Sequence, residues 1–128
     1  MRQVNKSIKK SMTKMEPQVD KDIYCGTGYL NPRRFATYGF QLQEIMALQP
    51  GNILEVGLGN GVVSYILNKT GVDITTVDFD ESLEPDTVAS VTNLPFEDDS
   101  FDLIVSWNVL QHVPPDAIDA VAAELPRV

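Results

Sequence analysis

The residues best suited to chemistry sit in Asn52-Ile53-Leu54-Glu55-Val56-Gly57-Leu58-Gly59-Asn60-Gly61-Val62-Val63-Ser64. Glycine occupies every second position of Gly57-x-Gly59-x-Gly61, and the acid Glu55 stands two residues ahead. Glycines there permit a tight turn and close approach of the backbone to a ligand, and the helix start that follows offers free N–H groups. Such a loop binds a polar ligand. The dinucleotide fingerprint wants a glycine three positions after the second one, where Val62 stands, and no Gly-Lys-Ser/Thr follows to make a P-loop. Asp78 lies 17 residues beyond Gly61, at the end of a β-branched run. A carboxylate at a strand's carboxyl end can accept from both hydroxyls of a ribose, so loop and acid together point to an adenosine cofactor.

The elements that position these groups read as a βαβ unit. Ile53 to Val56 is a strand buried on both faces, Asn60 to Lys69 a helix ended by Thr70-Gly71, and Asp73 to Val77 a second strand that stops at Asp78. Parallel pairing with a right-handed crossover follows. Only Phe79 to Asp86, with Pro85 inside, separates this strand from the next apolar piece, Thr87 to Val91. A parallel crossover usually holds a helix, so the helix here shrinks to a turn around Glu81-Ser82-Leu83. After the acidic turn Glu97-Asp98-Asp99-Ser100, Phe101 to Trp107 is a fourth, strongly apolar strand. Pro114-Pro115-Asp116 then opens a helix with Ile118, Val121, Ala122 and Leu125 on one face. The first three strands would lie to one side of the fourth. The chain ends at Val128 with that strand's other edge bare, which predicts either a longer native chain or a homo-oligomer joined through the edge.

Ahead of the first strand, Asn31-Pro32 caps a helix that Pro50-Gly51 stops, with Phe35, Tyr38, Leu42, Ile45 and Met46 as its apolar stripe. Asp22 to Leu30 reads as an irregular loop, and Tyr24, Tyr29, Arg33 and Arg34 are either packing residues or ligand-facing ones. Residues 1–22 form a basic, flexible leader, and 23–128 form the folded domain. Residues 1–21 carry six of the ten basic side chains and a net charge of +4, which leaves −12 on the remainder. Val4, Ile8, Met12 and Met15 fall at helical spacing in that leader, a marginal helix at best. An acidic body argues against nucleic acid as a partner, because phosphate contacts need clustered cations. No apolar run nears the ~20 residues that span a bilayer. The single cysteine, Cys25, excludes an internal disulfide, so a cytoplasmic, membrane-free protein is expected.

With these motifs assembled, the chain resembles the class I S-adenosylmethionine-dependent methyltransferases, in particular the small type 11 domain. The resemblance covers Ile53 to Val128. It rests on Glu55-Val56-Gly57-Leu58-Gly59-Asn60-Gly61, Val77-Asp78, Leu94-Pro95-Phe96 with Ser100-Phe101-Asp102, and Val109-Leu110-Gln111-His112-Val113, in that order. It implies a Rossmann-like, mostly parallel twisted sheet with helices on both faces, truncated here after the helix that follows strand four. It also implies S-adenosyl-L-methionine as cofactor. By the same resemblance Glu55 positions the cofactor's amino-acid end, and Gly57, Gly59 and Gly61 give it backbone contacts. Asp78 holds the ribose, Phe79 packs on the adenine, and Val91 offers its N–H to that ring. Ser90 stands where many relatives carry an acid for the adenine amino group, which weakens that contact. Asn108 lies near the reactive methyl group.

Catalysis by methyl transfer needs positioning more than acid–base groups, so His112 and Asn108 are the only catalytic candidates, and His112 reads equally as a structural imidazole. Asp98, Asp99 and Asp102 read as a solvated turn, and Trp107 as core or pocket wall. Ser106-Trp107-Asn108-Val109 is not the Asn/Asp-Pro-Pro-Tyr motif of amino-group methylases, so a small-molecule acceptor is expected. Two alternatives stand beside methyl transfer. One is a non-catalytic cofactor-binding module or obligate oligomer without an acceptor site; the other is a nucleotide-dependent oxidoreductase, which Val62 disfavours. No metal is expected.

Overall fold

The computed structural model describes residues 20–128. Most of the leader, with the helical spacing of Val4 to Met15, lies outside the described residues. Four parallel strands form one sheet: β1 (Asn52–Val56), β2 (Asp73–Asp78), β3 (Thr87–Val88) and β4 (Leu103–Ser106), in the order β3-β2-β1-β4. Strand β1 is central, paired along its length with β2 on one side and β4 on the other. Its Ile53 and Leu54 are each 0% exposed, as expected for a strand covered on both faces. Four helices accompany the sheet: α1 (Lys21–Cys25), α2 (Pro32–Leu48), α3 (Val62–Thr70) and α4 (Ile118–Glu124). This is the Rossmann-like α/β arrangement expected from the βαβ pattern.

Alternation along β1 divides the core. Ile53 joins Tyr38, Ile45, Val63 and Leu67 in the layer under α2 and α3. Leu54 and Val56 join Val77, Val91, Leu94 and Val121 on the other face. Glu55, two residues from Ile53, therefore shares the α2–α3 face. As anticipated, Asn31 caps α2, its side-chain oxygen accepting from Arg34 N at 3.1 Å. Among the described strands, β4 pairs only with β1, which leaves its outer edge unpaired.

Several expectations need correction. Residues 22–25 are helical where a loop was expected, because Asp20 accepts from Asp22 N at 3.0 Å and starts a turn at Lys21. This helix begins two residues inside the stretch assigned to the leader. The α2 stripe is narrower than its periodicity suggests: Phe35 is 55% and Met46 45% exposed, because contact runs along Tyr38, Gln41, Leu42 and Ile45 alone. Helix α3 starts at Val62 rather than Asn60, since Asn60 and Gly61 form the turn before it. Strand β3 holds two residues instead of five. Past Ala89, whose N–H still donates to Asp78 O, the Ser90 hydroxyl bonds Thr92 and Asn93 N donates to Ser90 O, a local turn that outcompetes the ladder. The last helix is a single 3₁₀ turn at Pro115–Ala117 before α4, and its buried line is Ala117, Val121 and Leu125 while Ile118 and Ala122 face solvent.

The segment Leu94-Pro95-Phe96 is held from behind by the end of α4. Glu124 Oε2 accepts from Leu94 N at 2.7 Å, and Arg127 donates to Leu94 O at 2.9 Å and Phe96 O at 2.7 Å while pairing with Glu124 at 2.8 Å. Hydrogen bonds from Arg127 and then from Leu94 N hold the Glu124 carboxyl down at about 2. A lowered acid adds stability that is complete above the ordinary carboxylate range and disappears as pH falls toward about 2. Thermal melts from pH 7 downward are expected to show an acid-side loss of Tm that is smaller in Glu124→Gln. Identical pH profiles for the two proteins would contradict this.

Candidate functional site

At the end of β1 the chain leaves the sheet through the glycine loop. Gly57 N donates to Val77 O at 2.8 Å, and Gly57 has φ +88°. A Cβ on Gly57 would overlap the side chain of Val109, in the segment after β4. The glycine is thus required twice, by backbone conformation and by the close passage of that segment. Gly61, at φ +68°, forms the left-handed turn that starts α3, and Asn60 Oδ1 accepts from Val62 N at 3.3 Å beside it. Tyr24 of α1 covers the loop from outside, its ring 3.8 Å from where a Gly59 Cβ would lie.

Asp78, at the end of β2, is 9% exposed and already engaged. Its Oδ2 accepts from Leu58 N and its Oδ1 from Asp80 N, both at 2.9 Å. The carboxylate therefore ties the loop to β2. An ionised carboxylate offers about four acceptor positions, so two remain for hydroxyl donors. Burial, and next the Asp78 charge, push the Tyr24 phenol above its ordinary value, which places these two groups in the same electrostatic neighbourhood. Phe79 follows directly, and Ser90 and Val91 stand just beyond the bond from Ala89 N to Asp78 O. The Val91 side chain is core, and the Ser90 hydroxyl is bonded to Thr92 at 2.8 Å.

A cleft on the α2–α3 side of the loop brings together Glu55, Gly57, Gly59 and Asn108 with Tyr29, Arg34 and Trp107. Glu55 is 3% exposed, and its Oε2 has no hydrogen-bond partner among the described residues. Burial raises its carboxyl to about 7, opposed only in part by a hydrogen bond with Ser64. A second group from the cleft wall, Trp107 Nε1, is likewise buried and unpartnered, and so is Asn60 Nδ2. Ser106 Oγ, at the end of β4, is unpartnered among the described residues too, and buried polar atoms of this kind are completed by an ordered water or by a ligand. Asn108 is exposed at the cleft, held at φ +59°.

Two expected groups lie elsewhere. His112 sits in the 3₁₀ turn Leu110–His112, its ring nitrogen 3.2 Å from the Gln111 amide, and does not line the cleft. Arg33 is exposed on α2. Two contributors went unnoticed in the sequence. Tyr38 reads as one more member of an apolar stripe, yet its hydroxyl donates to Asn60 Oδ1 at 3.2 Å. Asn60 reads as the start of a helix; its position between two glycines was the available signal.

The family profile described as a methyltransferase domain matches residues 54–128. The chain belongs to this family. The match spans the glycine loop, Asp78 and the whole segment from β2 to α4, and with the parallel sheet it makes the protein a class I methyltransferase domain, a family that generally binds S-adenosylmethionine. No curated protein and no solved structure matches the chain significantly. The residues of this methyltransferase domain fit that cofactor: an acceptor-rich carboxylate ends β2, a glycine loop runs beside it, and a buried acid lacks a partner on the other side of the loop. No helix among the described residues is long and apolar enough to cross a membrane, and no cluster of His, Cys, Asp and Glu there is arranged to hold a metal ion.

Two measurements probe this construction. An acid with a raised folded-state pKa gives its full stability below the ordinary value of 4.5 and loses it as pH rises to about 7. Glu55→Gln should therefore match wild type near pH 4 and be the more stable above pH 7, by on the order of 3 kcal/mol in denaturant melts. Equal stability at both pH values would remove the buried charge from the account. Gly57→Ala should lower stability by roughly 2 kcal/mol or more, from the positive φ and the overlap with Val109, read from the same melts.

Proposed function

We propose that this domain uses S-adenosyl-L-methionine to methylate a small-molecule acceptor by in-line displacement. The observation that carries the reading is the buried Glu55 carboxylate, whose Oε2 lacks a partner beside a loop whose other flank is Asp78. When bound, the cofactor supplies a methyl group on a positively charged sulfonium, whose thioether leaves without help from an acid. The chain's own residues bind and orient. Asp78 accepts from ribose hydroxyls with its two remaining lone pairs while keeping Leu58 N and Asp80 N in place. Phe79 packs on the adenine, and Ser90 and Val91 stand at the ring's edge. Gly57, Gly59 and Gly61 let the backbone approach, and Asn108 flanks the reacting centre.

No histidine lines the cleft. This supports catalysis by positioning and by the field of Glu55 rather than by a dedicated general base. The acceptor reading is supported by Ser106-Trp107-Asn108-Val109 after β4, which lacks the double proline of amino-group methylases, and by the acidic body, which repels nucleic acid. The lone, exposed Cys25 thiol supports a reducing, cytoplasmic compartment.

A calorimetric titration with S-adenosylhomocysteine and, separately, NADH tests the cofactor. Binding of the first and not the second is expected. NADH binding alone would overturn the proposal. Asp78→Ala should weaken S-adenosylhomocysteine about tenfold or more, as for a lost charge-assisted pair.

A further inference from the structure

Helix α1 lies outside the residues the family profile matches, and none of its five residues is buried. Among the described residues, no hydrogen bond or ion pair joins residues 20–25 to the sheet, to α2 or to α3. Ile23 is 55% exposed and Cys25 is exposed, which leaves Tyr24 as the half-buried residue. A helix this short has no stability of its own, so the contacts of Tyr24 set where α1 lies.

Those contacts fall on the glycine loop and the end of β2. One edge of the Tyr24 ring is 3.8 Å from where a Gly59 Cβ would stand, an ordinary contact distance. The ring meets Tyr29 edge to face, with centroids 5.2 Å apart and planes at 80°. Its phenol feels the charges of Asp78 and Asp80. Tyr24 therefore stands over the backbone and beside the carboxylate that a ribose would use. The cleft with Glu55 and Trp107 does not include it, so Tyr24 belongs to the sugar side of the loop.

The link that carries α1 is Gly26-Thr27-Gly28. Neither glycine has a positive φ, and a Cβ on Gly26 would meet nothing closer than 3.9 Å. One on Gly28 would meet nothing within 4 Å. Packing thus requires glycine at neither position, whereas a link that must change its backbone angles favours it.

We propose that α1 is a strap that swings on Gly26-Thr27-Gly28 to admit the cofactor and closes with the Tyr24 ring over its ribose. The proposal rests on the S-adenosylmethionine reading. Opening releases the contacts of one aromatic side chain; closing covers the sugar and slows its escape. Segments that open around a ligand come from the least stable parts of a fold, and α1 is held in that way.

Binding kinetics on the full chain test this, with S-adenosylhomocysteine as ligand and surface plasmon resonance as readout. Tyr24→Ala should raise the dissociation rate about tenfold and leave the association rate within about threefold. Tyr24→Phe keeps the ring and should dissociate within about threefold of wild type. Ile23→Ala, on the exposed face of α1, should change neither rate. Saturation with S-adenosylhomocysteine should also slow amide exchange in residues 21–25 severalfold, which a role confined to bracing Tyr29 would not produce. An unchanged dissociation rate in Tyr24→Ala overturns the proposal, as does an equal rise in Tyr24→Phe or unaltered exchange in α1. A wild-type chain that does not bind S-adenosylhomocysteine overturns the cofactor reading itself.

Discussion

A carboxylate is built into β1, the strand covered on both faces, and much of the site follows from it. Glu55 is 3% exposed on the face of β1 that faces α2 and α3, where an ionised acid loses its water and regains little from the Ser64 hydroxyl. The fold tolerates this because the acid lies near the strand's carboxyl end, two residues before Gly57 opens the glycine loop. A buried acid whose Oε2 has no partner among the described residues is poorly explained as a source of stability, and its raised pKa makes it a candidate for a site role. A cationic ligand group near Glu55 lowers its pKa, so binding and proton release are linked.

Asp78 shows the opposite economy. It is almost as buried, yet both of its oxygens accept backbone N–H groups, one from the glycine loop and one from the turn after β2. One side chain therefore fixes the loop's position relative to β2 and supplies the acceptors expected for a ribose. Parallel pairing makes this possible, because Val56 lies opposite Val77 and brings the ends of the two strands level. On the far face, Glu124 and Arg127 hold the backbone of Leu94 and Phe96. The segment Leu94-Pro95-Phe96 is thus packed and clamped, and its link to the site is through the core that Leu94 and Phe96 share with Val56, Val77 and Val91.

The N-terminal part of the chain closes the other side. Helices α1 and α2 and the residues between them lie outside the family match, and Tyr24, Tyr29 and Arg34 pack on one another beside the glycine loop and its cleft. The conserved chemistry of a fold and the particular walls of one site commonly divide in this way, with the scaffold supplying the backbone donors and a separate segment supplying the shape.

Much was legible from residue order because its causes are local. The spacing Gly57-x-Gly59-x-Gly61 sets backbone conformations, β-branched runs make strands, Asn31-Pro32 starts a helix, and Asp78 ends a strand whatever the rest of the chain does. These features determined the fold class and located the loop and the acid. The tertiary structure decided what depends on distant neighbours. The contact line of α2 is narrow enough to leave Phe35 and Met46 in solvent, and the Ser90–Thr92 turn cuts β3 to two residues. Asp78 uses one oxygen on the loop and the other on the turn after β2, and His112 stands away from the cleft. Glu55 and Asn60, Arg34, and Trp107 come from three separate stretches of sequence, and they line one cleft only because the sheet and α2 bring them together.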